Sequence, residues 1–318
     1  MLVASFAEYR PDHLHPGIDL STGGRTGLPV YAVMGGEVFR LKVEWRGYGR
    51  AIYLRHSDGR ISVYAHLERF NEAELKLESR VEESRKSTGQ RFPGDIYLDP
   101  PVPVRSGQQI ATSGESGAGL PHLHYELRRD EQRPGDPSVV LGRLPRGKSP
   151  RLEGLVLLPR DAGVLVEGGR SAEIRLSRDP SGVYAPSEEV VVSGPFLPEA
   201  RLVVEDDDGH RLGIQGLSVK LDGKLVYRTI LKEFRFEQYP QVGLLLDHAR
   251  SRLSPTEFTY RLARLPGNTL GLVHSPPETA WPSLGPGRHH LQWEVTDALD
   301  GTARAKVPFL VVSPPPLR

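Results

Sequence analysis

The sequence of 318 residues contains no cysteine. This absence excludes disulfide bonds, thiolate nucleophiles, iron–sulfur clusters and every zinc site that uses cysteine. Any bound metal would therefore be held by histidine and carboxylate side chains. The chain has 11 histidines that could serve this purpose.

The sequence also has almost no net charge and no long apolar run. The 41 basic and 40 acidic side chains leave a formal net charge of +1, which gives no electrostatic reason to expect a nucleic acid as partner. No apolar run reaches the roughly 20 residues that a transmembrane segment needs. The first ten residues, MLVASFAEYR, lack the basic start of a secretory signal. No signal peptide is therefore visible.

Glycine and proline are abundant, with 34 and 28 residues, and this composition favours turn-rich β structure. Up to about residue 142, short apolar runs alternate with turn dipeptides such as Asp58-Gly59. The charged stretch 70–89 interrupts this pattern, and we expect it to form a solvated helical or irregular arm. The sequence as a whole predicts a mainly β protein.

A basic, proline-rich stretch divides the chain. We predict a first domain over residues 1–142, a linker over 143–152 and a second domain over 153–318. The second domain has short apolar runs at the spacing of an immunoglobulin-like β-sandwich. The letters GRLPRGKS at the linker match a phosphate-binding loop, but Pro150 follows them where a helix is required, so we reject that interpretation.

Histidines form three clusters in the first domain. The first, HLHPGID, contains His13 and His15. His15 precedes Asp19 by four residues, and Gly17 would let the chain turn so that both side chains reach one metal. The second cluster, YAHL, contains His66 at the end of a predicted strand. By the alternation of that strand, we expect its side chain on the same face as Tyr64.

The third cluster, PHLHYEL, alternates polar and apolar residues. On a strand, His122, His124 and Glu126 would project to one face, and the apolar residues between them would anchor the other face on a core. The glycine-rich loop 113–119 precedes this strand. Its small residues would let a substrate backbone lie close.

Each cluster alone is weak evidence, because a histidine at a strand end is usually a polar surface residue. We expect this of the six histidines outside the clusters: His56, His210, His248, His274, His289 and His290. The occurrence of all three clusters in one cysteine-free domain is more specific. It favours a catalytic zinc site of two histidines and one aspartate, with auxiliary histidines beside it.

The stretches HPGIDLS, SVYAHL and TSGESGAGLPHLHYEL resemble the motifs of the M23 (lysostaphin/LytM-type) zinc metallopeptidases, and the resemblance covers about residues 5–140. It implies a LytM-like antiparallel β-sheet peptidase domain, followed here by the immunoglobulin-like β-sandwich domain. It also implies a zinc endopeptidase that hydrolyses peptide bonds in the stem peptides or cross-bridges of peptidoglycan.

The resemblance further implies a role for individual residues. Zn²⁺ would be bound by His15, Asp19 and His124, whereas His66 and His122 would be catalytic residues that do not bind the metal. Because no HExxH motif supplies a glutamate base, imidazole would have to move the proton. We expect His122 to take the proton of the attacking water and His66 to stabilise the oxyanion, although the two roles could be exchanged.

Location and partners follow from the implied substrate. We expect a periplasmic or secreted protein that acts on peptidoglycan, and a second domain that could contact an envelope protein. The chain begins almost on the first motif, so we expect a truncated N-terminus. The alternative is a non-catalytic envelope-binding or regulatory module of the same fold, which the presence of all five site residues disfavours.

Overall fold

The protein is described by a computed structural model, which covers residues 1–117, 119–141, 148–160, 165–166, 172–253, 257–275 and 281–313. Strands dominate this part of the chain, which confirms the mainly β fold predicted from the sequence.

The chain forms two compact units. The first comprises Met1–Phe6 and Pro16–Leu144, and the second comprises Ala7–His15 and Pro145–Arg318. The predicted domain bounds stay a prediction, and residues 143–147 of the predicted linker lie outside the described residues.

The first unit contains an eight-stranded antiparallel sheet and a three-stranded sheet. In chain order its elements are β1 (Leu2–Ala4), β2 (Ile18–Ser21), β3 (Pro29–Tyr31), β4 (Gly36–Val43), β5 (Arg50–Arg55), β6 (Ile61–Ala65), β7 (Leu67–Phe70), α1 (Leu77–Thr88), β8 (Gly94–Val104), β9 (Gln109–Ser113), β10 (His122–Asp130), β11 (Arg133–Gly135) and α2 (Ser138–Leu141). The larger sheet has the order β1-β2-β10-β6-β5-β4-β8, with β11 beside β10, and the smaller has the order β3-β9-β7. Strand β10 therefore lies between β2 and β6.

Apolar side chains on one face of β4, β5 and β6 form a buried cluster. Its members are Phe39, Ala51, Tyr53, Ile61, Val63 and Ala65, with Tyr48 packed against them. The charged stretch beyond β7 forms the predicted helical arm as α1, which is not fully solvated because Leu77 and Val81 are buried. The cluster supports the sheet from the side on which β10 carries its polar residues.

The second unit contains two further sheets. Its elements are β12 (Arg151–Pro159), β13 (Leu165–Val166), β14 (Ala172–Arg175), β15 (Ser177–Arg178), β16 (Val183–Ala185), β17 (Val190–Ser193), β18 (Phe196–Val203), β19 (Ile214–Leu221), β20 (Lys224–Ile230), a 3₁₀ helix (Phe236–Leu244), α3 (His248–Leu253), β21 (Phe258–Arg261), β22 (Gly287–Asp297) and β23 (Thr302–Val312). One sheet has the order β14-β12-β18-β21 and the other β13-β17-β23-β22-β19-β20. Two sheets are compatible with a β-sandwich, and its immunoglobulin-like type stays a prediction.

The segment Ala7–His15 is a short hairpin within the second unit. The backbone N–H of Ala7 donates to the carbonyl oxygen of His15 at 2.8 Å. The hydroxyl of Tyr9 lies 2.6 Å from Nδ1 of His248. Hydrogen bonds thus join the two ends of the hairpin to each other and its Tyr9 side chain to His248.

Helices in the described part of the chain are short. None of them is long and apolar enough to cross a membrane.

Gly17 lies where the chain passes closest to β10. Its φ is outside the left-handed region, so the turn does not require glycine for its backbone angles, and the reason given from the sequence is wrong. A Cβ at this position would lie 2.3 Å from the carbonyl oxygen of Tyr125 and 2.8 Å from Cγ of Glu126. Glycine is required here for space.

We predict that Gly17→Ala destabilises the protein by about 2 kcal/mol or more, because the added methyl group meets a backbone carbonyl that cannot move aside. Gly271→Ala is the matched control, since its Cβ would meet open space and its φ is not left-handed. Thermal unfolding followed by circular dichroism would compare the two. An unchanged midpoint for Gly17→Ala would contradict the prediction.

Candidate metal centre

The candidate site lies where β2, β10 and β6 run side by side. Asp19 of β2 and Ala65 of β6 are both cross-strand partners of His124. Such partners share one face of a sheet and lie about 5 Å apart. The register therefore brings Asp19 to His124, and Oδ1 of Asp19 is 2.8 Å from Nδ1 of the ring.

Three of the predicted site residues could hold a metal ion. His15, Asp19 and His124 each offer one ligand atom, and these atoms lie within 4.8 Å of one another. Both histidines are 5% exposed, and Asp19 is half-buried. Two imidazoles and a carboxylate are a donor set that leaves a metal with an open position.

A second carboxylate lies on the other side of His124. Nε2 of the ring is 2.9 Å from Oε1 of Glu126, which has no exposed surface. The hydroxyl of Tyr48 donates to the same oxygen at 2.6 Å, and Nε of Arg128 donates to the other oxygen at 2.5 Å. Arg128 also donates to the hydroxyl of Tyr48 at 3.0 Å. These bonds fix the carboxylate in one orientation.

These contacts determine the charges of Glu126 and His124. Burial disfavours a charged Glu126, but Arg128 and His124 lower its pKa to about 2. Burial likewise disfavours a charged His124, but its hydrogen bonds to Asp19 and Glu126 raise its pKa to about 9. In the metal-free protein both ring nitrogens of His124 therefore carry protons. A metal would displace the proton that faces Asp19 and leave the one that faces Glu126.

His66 does not lie on the face that the strand pattern predicts. Strand β6 ends at Ala65, and His66 has a left-handed backbone with φ of 58°. Its ring centroid is 4.5 Å from that of His122 and 5.7 Å from that of His124. The ring thus lies on the side of Ala65 rather than Tyr64. The expectation is wrong, and the backbone turn is what brings His66 to the other histidines.

His66 and His122 are oriented in the same way. Nδ1 of His66 lies 2.8 Å from the carbonyl oxygen of Ser116, and Nδ1 of His122 lies 2.6 Å from that of Leu120. A carbonyl oxygen only accepts, so each Nδ1 carries a proton and each Nε2 is an acceptor while the ring is neutral. Burial, with the nearby His124 and His122, lowers the pKa of His66 to about 4.

The glycine-rich loop before β10 packs against its own chain. A Cβ on Gly114 would lie 2.5 Å from the backbone nitrogen of Glu68, and one on Gly117 would lie 2.3 Å from that of Gly49. The space at these two glycines is therefore occupied by backbone. Support of a substrate by the loop stays a prediction, and residue 118 lies outside the described residues.

His56 and His13 lie outside the metal-binding group. His56 is 6% exposed, and its ring nitrogens bond the carbonyl oxygen of Gly35 at 2.8 Å and the hydroxyl of Ser62 at 2.7 Å. The surface position expected for His56 is therefore wrong. His13 lies beside Asp12 and is outside the metal-binding group.

A second acidic group occurs in the second unit, with Asp206, Asp208 and His210 close together. The carboxylate of Asp206 accepts the backbone N–H groups of Asp208 and His210, and it lies 2.7 Å from Nδ1 of His210. These bonds explain the group as a stabilised turn.

Sequence reasoning assigned no role to Tyr48, Glu126 or Arg128. The signal for the last two was the alternation of β10, which places both on the face of His124. Tyr48 gave no signal, because it follows β4 in a loop and reaches Glu126 only through the fold.

Residues 13–86 match the model of Peptidase family M23. This span includes His15, Asp19 and His66 and ends before His122. A "Lipoprotein NlpD/LppB homolog" of Pseudomonas aeruginosa is 32% identical over 130 residues, which are 41% of this chain and 34% of that protein. A "DD-carboxypeptidase/endopeptidase Mpg" of Neisseria meningitidis serogroup B is 34% identical over 129 residues, 40% of this chain and 23% of that protein.

A "Murein hydrolase activator NlpD" of Escherichia coli is 30% identical over 112 residues, which are 35% of this chain and 22% of that protein. The chain thus spans about a third or less of the length of the curated relatives it matches.

We predict that Glu126→Gln weakens metal binding by roughly 10- to 100-fold, because a neutral amide holds the Nε2 proton of His124 less firmly than a carboxylate does. Tyr48→Phe should cause a smaller loss, since it removes one of the donors to Glu126. Titration of the metal-free protein with Zn²⁺ against a competing chelator would measure both.

Tyr53→Phe is the control for this series. Tyr53 is also buried, and the centroid of its ring lies 5.4 Å from Cζ of Arg128. Its variant should bind the metal like the original protein. Equal affinity in Glu126→Gln would show that the carboxylate does not position His124.

The raised pKa of His124 predicts how the metal-free protein responds to pH. Its protonation stabilises the fold in full below the unfolded value of about 6.5, and this contribution is lost as the pH rises through about 9. The melting temperature should fall by several degrees across this window, and the fall should be smaller in His124→Gln. If that variant does not fold, Zn²⁺ affinity gives a second measurement. It should rise across the same window, because metal and proton compete, and a flat affinity would contradict the prediction.

Proposed function

Since this chain carries a domain of peptidase family M23, we propose that it is a zinc-dependent endopeptidase that hydrolyses peptide bonds in the stem peptides or cross-bridges of peptidoglycan. The observation that carries the proposal is the convergence of His15, Asp19 and His124 within 4.8 Å, beside the paired rings of His66 and His122.

The residues fit a catalytic zinc ion. His15, Asp19 and His124 would hold it, and the buried Glu126 gives His124 the carboxylate partner that histidine ligands of metals usually have. Zinc in such a site supplies a Lewis acid that polarises a peptide carbonyl and acidifies water.

His122 is the better candidate for the general base. Its neutral ring presents Nε2 as an acceptor, because Nδ1 donates to the carbonyl of Leu120. The ring of His66 presents Nε2 in the same way, but its pKa of about 4 makes it a weak base at neutral pH. We therefore assign removal of the water proton to His122.

His66 is assigned to the oxyanion. To donate from Nε2 the ring must first be protonated, since its Nδ1 proton already bonds to Ser116. A developing negative charge beside the ring would raise its affinity for that proton. His122 would hold the proton taken from the attacking water, and the additional proton of His66 would come from solvent.

The proposed substrate places the protein in the cell envelope, as a periplasmic or secreted protein. Similarity to proteins named as a lipoprotein and as a murein hydrolase activator supports this location. An envelope protein that contacts the second unit is part of the same proposal.

The second candidate function is activation of a separate hydrolase without catalysis. Similarity to a murein hydrolase activator over 112 residues favours it. In that case the chain would need neither a metal nor the histidine pair. The five site residues argue for catalysis, and the two candidates make different predictions for the same variants.

We predict that His122→Ala keeps about one zinc ion per chain and loses hydrolysis of purified sacculi by roughly 100-fold or more, because proton transfer is removed while the ligands remain. His15→Ala and Asp19→Ala should lose the metal as well. Metal analysis and mass spectrometry of the released peptides would measure both effects and identify the bond that is cut.

His13→Ala is the matched control, two residues from a proposed ligand and outside the metal-binding group. It should keep both metal and hydrolysis. If the unaltered, zinc-loaded chain released no peptide but stimulated a separate hydrolase equally with and without His122, activation would replace catalysis.

A further inference from the structure

The larger sheet of the second unit has one apolar and one polar face. In β22, Leu291, Trp293 and Val295 are buried, and the residues between them are not. Strands β19 and β23 alternate in the same way. The polar face is therefore continuous across neighbouring strands.

Basic side chains are concentrated on this polar face. Two hollows of about 310 Å³ and 230 Å³ adjoin there and both are lined by Ser218 and Glu294. The basic residues that line them are Lys220, Arg228, Lys232, Arg304 and Lys306. We call these five residues the cationic face. Among the described residues, Glu294 is the one acidic residue in the lining of either hollow.

Most of this charge is not neutralised. Glu294 pairs with Arg304. The other four basic side chains of the cationic face are exposed and make no ion pair with any described residue. The chain as a whole is nearly neutral, with 41 basic and 40 acidic residues. The local excess is therefore a property of the fold and not of the composition.

The register spreads the charges in rows. Lys220 pairs with Gln292, which pairs with Lys306. In the next row, Arg228 and Arg304 are separated by three strand spacings, which is about 14 Å. No single small anion can contact all of these cations, whereas an extended chain with several negative groups can.

We propose that the cationic face binds the carboxylate-bearing peptides of peptidoglycan. This inference rests on the proposed function, because peptidoglycan is chosen among polyanions as the substrate of the first unit. Ser218, Gln292 and Thr296 add groups that can hydrogen-bond to amides. The aromatic residue in the lining, Trp293, is 2% exposed. It cannot stack on the bases of a single-stranded nucleic acid.

Exposed ion pairs are individually weak, so this binding depends on several contacts at once and on salt. Binding of the full-length, chelator-treated protein to purified sacculi should fall strongly between roughly 50 and 300 mM NaCl. The variant Lys220→Gln/Arg228→Gln/Lys306→Gln removes three unpaired cations and leaves the Arg304–Glu294 pair intact. It should bind sacculi at least tenfold more weakly at low salt.

Lys86→Gln/Arg91→Gln/Arg105→Gln is the control, because it removes the same charge from exposed positions of the first unit. It should bind like the original protein. Equal binding by both triple variants would overturn the inference. Stronger binding of single-stranded DNA or phosphatidylglycerol vesicles than of sacculi, lost in the first variant, would overturn the choice of partner.

Hydrolysis of a short soluble stem peptide by the zinc-loaded protein separates the two proposals. The first triple variant should keep this activity, because its substitutions are outside the metal centre. If the first triple variant loses sacculus binding but even the original zinc-loaded protein hydrolyses no peptide, the proposed function is rejected and this inference is kept. If the original protein hydrolyses the peptide and the first triple variant still binds sacculi normally, this inference is rejected and the proposed function is kept.

Discussion

The imidazole of His124 lies between two carboxylates inside a β-sheet. Asp19 contacts one nitrogen at 2.8 Å and Glu126 contacts the other at 2.9 Å. A buried carboxylate is costly unless it is paired and hydrogen-bonded, and Glu126 meets this condition through Tyr48 and Arg128. The arrangement gives His124 one orientation before any metal is bound. The proposed ligand set depends on that orientation.

The two carboxylates of this arrangement differ in surroundings. Glu126 has no exposed surface and is held by three donors, so it stays where it is when the protons of His124 change. Asp19 is half-buried and contacts the ring at Nδ1. Of the two ring protons, the one facing Asp19 is therefore the one that can be exchanged for a metal. In the proposed metal centre, Glu126 would position the ring and Asp19 would bind the metal.

The sequence predicts most of this site because its information is local. Alternation along β10 is enough to place His122, His124 and Glu126 on one face, and the mainly β fold follows from composition and turns. The left-handed backbone of His66 could not be predicted, because a residue other than glycine rarely adopts it and strand alternation gives no sign of it. The role of Gly17 was also hidden, since its neighbour Tyr125 is distant in sequence.

Among the described residues, charged side chains are paired in the sheet of the first unit but largely unpaired on the polar face of the second, because an unpaired charge is costly only where it is buried. Inside the sheet of the first unit, charged groups are in contact with opposite charges, because an unpaired charge there would destabilise the fold. On the polar face of the second unit, water solvates each exposed cation, so four of them form no ion pair with a described residue at little cost to folding. Stability thus requires the pairing around Glu126 but not the excess charge near Lys220. Because folding does not require this excess charge, the cations are free to contact a ligand.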